Sequence, residues 1–155
     1  MTQQIEYNLI LKDFHPVLSM SEETIAFTSN IYVEDTKVGF ASNRGQNTPI
    51  YVRWLDENAE DQFKHYLETL KPDVDQNTFF LTLVQYLLHL RDLRNQCLIK
   101  TFVQWPEVDY EPGAWSVYPH PYDESMKELF KMKTPARIMN EEIFKPFHIS
   151  HLSFS

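Results

Sequence analysis

Histidines, adjacent carboxylates and one cysteine are the residues of this chain that could carry chemistry. His148 and His151 stand three positions apart, and His120 is the candidate for a third metal ligand. A zinc site needs three or four ligands with supporting contacts, so we interpret these histidines as surface or tail residues and predict no metal site. His89 falls within the strongest helical pattern, where a packing or flanking role is expected.

Paired carboxylates occur at Glu22–Glu23, Asp56–Glu57, Glu60–Asp61 and Glu141–Glu142. Adjacent side chains point to opposite faces of a strand and diverge by about 100° on a helix, so these pairs are expected to be helix caps and solvated charges. Cys97 precedes an apolar run and is interpreted as a buried structural thiol. No phosphate-binding, nucleophile-elbow or metalloprotease motif is present. We therefore predict no catalytic residues and no cofactor, and an enzyme is the less favoured interpretation.

The segment Trp105–Gly113, called here the acidic loop, is the most promising surface. It combines two aromatic residues with three acids, and Pro106 and Pro112 restrict its backbone. Aromatic rings among acids suit protein recognition, whereas nucleic-acid stacking would require Lys or Arg beside the rings. The alternative is that the rings only cover the edge of the core. The predicted partner-binding residues are Trp105, Glu107, Asp109, Tyr110 and Glu111.

A second candidate site offers a different class of function. Asn43, Arg44 and Arg53 could contact an anion in a polar pocket between the predicted sheet and helices. That arrangement would belong to a small-molecule or nucleotide-binding protein, or to an enzyme. A large closed pocket lined by Arg and His would favour this interpretation, and a flat aromatic and acidic patch would favour the protein partner.

Composition narrows the partners further. The 155 residues contain 22 acids and 14 Lys or Arg, a formal net charge of −8, which repels nucleic-acid backbones and anionic membranes. No apolar run approaches the roughly 18–20 residues that cross a bilayer, and no signal-peptide pattern opens the chain. A single cysteine suits a reducing cytoplasm. The expectation is a cytoplasmic protein with a basic or mixed protein partner, no nucleic acid and no membrane.

The elements that must position these residues form one predicted domain over residues 1–155. Alternating apolar residues predict strands within 5–54, with a tight hairpin turn at Glu34–Lys37. Helical periodicity predicts helices within 56–95, the first of which ends at Pro72. Strands with a short helix return in 97–155, where residues 98–105 and 114–118 are candidates to pair as a hairpin. Asp56 and Asn77 are the expected caps of the two main helices, and Leu87 is expected in the core. The predicted fold is α+β, with an antiparallel sheet of about five to seven strands and two main helices packed on one face.

Two C-terminal features complete the prediction. Asp123 is expected to cap a short helix whose apolar residues are Met126, Leu129 and Phe130. The final residues, from Phe144 onward, carry alternating apolar side chains. They form either a docked edge strand or an exposed interaction segment.

Residues 20–28, 31–33 and 38–45 resemble a family of small uncharacterised proteins of bacteria and their phages. The family pattern is a Ser-x-Glu-Thr-x-Ala-Phe strand, a hairpin to a glycine, and an Asn-x-Gly-x-Gly-Gly loop. Gln46–Thr48 departs from it by lacking the further glycines, and residues 137–141 are similar to a closing Ile-Leu-Asn-Glu signature. The resemblance implies no activity, but it implies the company of phage genes, where small acidic proteins block host or defence proteins. The matching residues are Ser21, Glu23, Thr24, Ala26, Phe27, Gly39, Asn43 and Gly45.

Overall fold

A computed structural model describes residues 7–17, 25–70 and 73–154. The chain divides into two compact units, a first unit of Met1–Val84 with Phe147–Ser155 and a second unit of Gln85–Pro146. Part of the family-like motif, at Ser21, Glu23 and Thr24, lies outside the described residues. The same holds for the start of the first predicted strand and for the predicted helix stop at Pro72.

The first unit contains a four-stranded antiparallel sheet in the order β1-β2-β3-β4. Buried and exposed residues alternate along β2, so one sheet face is buried and the other is solvated. The predicted hairpin turn is confirmed at Glu34 and Asp35, which both adopt positive φ as a two-residue turn of right-twisted strands requires. The strands are Leu9–Pro16, Phe27–Val33, Thr36–Asn43 and Tyr51–Trp54.

Gly39 allows β3 and β4 to approach closely. A Cβ atom at this position would stand 2.5 Å from the backbone oxygen of Arg53, a distance that the strand could relieve only by moving. Gly39 also lies at an irregularity in the pairing of β2 with β3, where the register shifts by one residue. A glycine is thus required here by the spacing of two backbones.

Two helices follow the sheet, α1 at Glu57–Glu68 and α2 at Gln76–Cys97. The Asp56 cap is confirmed, because its carboxylate accepts the Asn58 N–H at 2.9 Å. The Asn77 cap is wrong. Asp75 receives the Thr78 N–H at 2.7 Å, and the Asn77 side chain instead accepts the Ile50 N–H.

Aromatic rings form a cluster in the core of the first unit. Phe63 of α1 is fully buried, and its ring centroid lies 5.1–5.3 Å from the rings of Trp54, Phe79 and Phe80. The C-terminal tail belongs to this unit from Phe147 onward, where Phe154 stacks on Phe79 at 5.9 Å and Ile149 is buried in a short 3-10 helix at Ile149–His151. The tail is therefore docked, although as a helical turn rather than an edge strand.

The second unit is built on a three-stranded antiparallel sheet in the order β6-β5-β7. β5 at Thr101–Gln104 and β6 at Ser116–Tyr118 form the predicted hairpin. β7 at Arg137–Ile138 pairs with the other edge of β5. Helices α3 at Glu124–Met132 and α4 at Met139–Glu142 complete the unit.

The core of the second unit contains an apolar cluster and a buried, hydrogen-bonded amide. Val103, Met126 and Phe130 form a core cluster that Trp105, Tyr122 and Ile138 flank. Asn140 accepts the Phe102 N–H at 3.0 Å, and its amide donates to the backbone oxygens of Cys97 and Lys100. This one side chain joins the end of α2, the start of β5 and α4.

The α+β class is confirmed, but its arrangement differs from the expectation. The seven strands of the described residues form two sheets of four and three strands, and four α-helices accompany them. Strands that follow one another in sequence usually lie side by side, and the two helices between β4 and β5 divide the strands into two groups. Leu87 is only half-buried, and Leu129 is exposed on α3. No helix of the described residues is long and apolar enough to cross a membrane.

Candidate functional site: the acidic loop

The acidic loop joins β5 to β6 and is held by hydrogen bonds at its base. The Asp109 carboxylate accepts the Trp105 N–H at 3.0 Å and the Ser116 hydroxyl at 2.7 Å. The Trp105 carbonyl in turn accepts the N–H groups of Val108 and Asp109. These bonds fix the turn from Trp105 to Asp109, so the side chains beyond it need little further ordering.

Trp105 belongs to the packing of the second unit. Its ring meets the Phe130 ring edge-on at 5.9 Å, and its indole N–H donates to the Tyr118 hydroxyl at 3.0 Å. The Lys133 ammonium lies 5.2 Å from the same ring. Trp105 therefore has the role expected of a ring at the edge of the core.

Tyr110 has the opposite character, since 77% of its surface is exposed. It lies between the turn that ends at Asp109 and a second turn closed by the Ala114 N–H on the Glu111 carbonyl at 3.1 Å. Val108 is 64% exposed beside it, and Glu107 and Glu111 are exposed as well. The outer surface of the loop is thus one aromatic ring and one aliphatic side chain between two carboxylates.

The five predicted partner-binding residues consequently divide in two. Trp105 and Asp109 support the loop from within, whereas Glu107, Tyr110 and Glu111 face solvent. Sequence reasoning missed Ser116 and Tyr118, which hold the loop from the next strand. The predicted β5–β6 hairpin was the available signal, because pairing those strands brings Val103 opposite Ser116.

The three alternative ligand-binding residues lie at the end of β3, in the loop that follows it and on β4. The Asn43 side chain bonds within its own loop, accepting the Gly45 N–H at 2.8 Å and donating to the Thr48 carbonyl at 3.0 Å. Arg44 is exposed in that loop. Arg53 pairs in register with Phe40, three residues before Asn43 on β3.

An open groove of about 700 Å³ lies in the second unit and contains none of those three residues. Its lining includes Lys127, Lys131, Arg137 and Lys145. Arg137 binds both carboxylate oxygens of Glu142, and the two lysines of α3 pair with Glu124 and Glu128. Most of the positive charge in this groove is therefore already matched by neighbouring carboxylates.

Titratable groups of the described chain show shifts typical of structural roles. Burial raises the pKa of the Cys97 thiol, and burial together with a hydrogen bond to Glu141 raises the pKa of Tyr122 to about 12. Hydrogen bonds from Ser125 and the Met126 N–H lower the pKa of Asp123 to about 2. Each shift moves the pKa of the group further from pH 7, whereas the pKa of a general acid or base is typically brought closer to pH 7.

Metal-ligating side chains do not gather either. In residues 7–17, 25–70 and 73–154, no three of His, Cys, Asp and Glu are placed to share an ion. His148 and His151 bond within their own helical turn, where His148 accepts the Ser150 N–H at 3.0 Å. His120 contacts Asp123 at 2.9 Å, next to the helix that Asp123 caps.

The chain was compared with known protein families, curated proteins and solved structures. No protein-family model, no curated protein and no solved structure matches the chain.

Proposed function

We propose that this chain is a protein-binding module and that the acidic loop is its recognition element. The observation that carries the proposal is Tyr110, a ring 77% exposed on a loop braced by Asp109. A tyrosine buries much apolar area while keeping a polar tip, and it loses little conformational entropy on binding. Its position on a held loop is that of an interface anchor.

The charges of the loop indicate the partner. Glu107 and Glu111 flank the ring and are exposed, so a basic or mixed protein surface would meet complementary charge. The same carboxylates repel phosphate, which disfavours nucleic acid as the partner. Combined with the family resemblance, the proposal is a small acidic protein of a bacterial cytoplasm, encoded by a phage, that inhibits a host or defence protein by direct contact.

The test begins with three baits in a bacterial lysate: the unchanged protein, Tyr110→Ala and Phe144→Ala. Phe144 is also an exposed aromatic residue of the second unit, 52% exposed, so it serves as the matched control. Quantitative mass spectrometry should find a protein retained by the first and third baits and reduced at least about tenfold on Tyr110→Ala, the loss expected for an interface anchor.

The identified partner then allows the charges to be tested. Glu107→Gln with Glu111→Gln should slow association and flatten its dependence on salt, because exposed carboxylates act mainly on the association rate. Asp109 is left unchanged in this variant, since it supports the loop. The proposal fails if Tyr110→Ala retains every partner that the unchanged protein captures, or if Phe144→Ala loses the same partner to the same extent.

A further inference from the structure

A second charged surface lies in the first unit, on the solvated face of its four-stranded sheet. Strand register aligns Lys12, Asn30, Phe40 and Arg53 as successive partners in one row across all four strands. Neighbouring strands lie about 4.8 Å apart, so this row spans roughly 14 Å. The term sheet face is used here for Lys12, Tyr32, Lys37, Phe40, Tyr51 and Arg53.

Aromatic rings hold two of the cations of the sheet face in place. The Lys12 ammonium lies 4.4 Å from the centroid of the Tyr32 ring, and the Lys37 ammonium lies 4.2 Å from that of Phe40. Such contacts are attractive because the ring face is negative, and they restrict long side chains that would otherwise move freely. Both ammonium groups are thereby fixed near the surface of the sheet.

The sheet face is positive although the protein is strongly acidic. Lys12, Lys37 and Arg53 are exposed. The carboxylate of Asp13, the residue after Lys12, accepts a hydrogen bond from Asn30 at 2.8 Å. Glu34 and Asp35 lie in the turn that joins β2 to β3. The three cations of the sheet face thus outnumber the one carboxylate that is hydrogen-bonded to Asn30 in the same row, in a chain whose net charge is −8.

We propose that the sheet face binds an acidic polypeptide segment. Carboxylates of an extended segment would meet the three exposed cations, and Tyr51, 64% exposed, offers apolar contact next to Arg53 on β4. Single-stranded nucleic acid is the weaker fit, because base stacking needs free ring faces and the rings of Tyr32 and Phe40 are each covered by an ammonium. This surface lies in the other unit from the acidic loop and selects the opposite charge, so it goes beyond the function proposed above.

The probe is a fluorescein-labelled peptide of alternating Glu and Thr, ten residues long, and the readout is fluorescence anisotropy at low and at physiological salt. Lys37→Glu combined with Arg53→Glu should weaken binding at least about tenfold, because two attractive charges become repulsive. Lys64→Glu with Asn58→Asp and Gln62→Glu makes the same change in net charge at three exposed residues of α1. Lys64, 62% exposed, lies on α1, and Phe63 of this helix packs against Trp54 on the buried side of the sheet. Because these charges are not on the sheet face, the control should change the affinity less than about twofold.

Amide chemical shifts of the unchanged protein give a second measurement that does not depend on a variant folding. Titration with the peptide should move the amides of Lys12, Phe40 and Arg53 more than those of α1. The proposal is overturned if the peptide does not bind at low salt, if the control variant weakens binding as much as the test variant, or if the shifts map elsewhere. It is also overturned if an oligothymidylate of equal charge binds more tightly to the same residues.

Discussion

The two units of this protein use different means to bury their interiors. In the first unit, Phe63 contacts the rings of Trp54, Phe79 and Phe80, and the three phenylalanines are fully buried. In the second unit, the core cluster of Val103, Met126 and Phe130 is small, and the buried Asn140 makes three hydrogen bonds to backbone groups. One unit thus rests mainly on apolar burial and the other on a combination of packing and directed polar contacts.

The two units also differ in whether a buried polar side chain is hydrogen-bonded. The Tyr7 hydroxyl in the first unit is buried with no hydrogen-bond partner among the described residues, and burial raises the pKa of this group. Its ring still stacks on Tyr66 at 4.7 Å. Ring stacking thus accompanies the unpaired Tyr7 hydroxyl in the first unit. Loss of the Asn140 hydrogen bonds in the second unit would instead leave buried backbone groups without these partners.

The largest expected effect comes from removing the centre of the aromatic cluster. Phe63→Ala should lower the free energy of unfolding by about 3–5 kcal/mol, because a fully buried ring is replaced by a cavity among other rings. Denaturant unfolding followed by circular dichroism measures the loss. Phe144→Ala removes a ring that is 52% exposed, and it should cost much less. A loss below about 1 kcal/mol for Phe63→Ala would show that the cluster is not the main source of stability.

Asn140 allows the polar side of the comparison to be tested. Asn140→Ala should cost about 2–3 kcal/mol, since it leaves the Phe102 N–H and two carbonyl oxygens without their partner. Asn140→Asp keeps the acceptor but loses both donors, so it should also destabilise. Amide hydrogen exchange should show faster opening at Phe102 than at Phe79 or Phe80. Equal acceleration at all three amides would contradict a role confined to the second unit.

A smaller effect is expected from the cap of α3, the helix that supplies Met126 and Phe130. The pKa of Asp123 is lowered to about 2, chiefly by the Ser125 hydroxyl and the Met126 N–H, whereas an unfolded aspartate titrates near 3.9. The folded state therefore favours the carboxylate, and its stabilisation is present above about pH 4 and is lost as the pH falls toward 2.

Urea unfolding of the unchanged protein and of Asp123→Asn between pH 5 and pH 2 measures this contribution. Asparagine retains capping ability but does not titrate, so the unchanged protein should lose more of its stability over this range than the variant does. Parallel losses in the two proteins would show that the ionisation of Asp123 is not coupled to folding.

Local sequence determined much of the secondary structure. Asp56 and Asp123 cap helices through contacts two or three residues away, and the Glu34–Asp35 turn joins neighbouring strands. Such interactions depend on residues close in sequence, so their patterns can be read directly. The acidic loop was found in the same way, because its rings, acids and prolines are contiguous.

Tertiary structure alone decided which residues share a surface or a core. Asn140 forms hydrogen bonds to backbone groups 38 and 43 positions away. Lys12, Phe40 and Arg53 lie in one row only because of the register of four strands. It also separated Trp105, which packs on Phe130, from Tyr110, which faces solvent. Composition averages charge over the whole chain, whereas the fold places cations on one face of a sheet and acids on a loop. The physical reason is that long-range pairing fixes side-chain direction, and neither residue type nor local spacing contains that information.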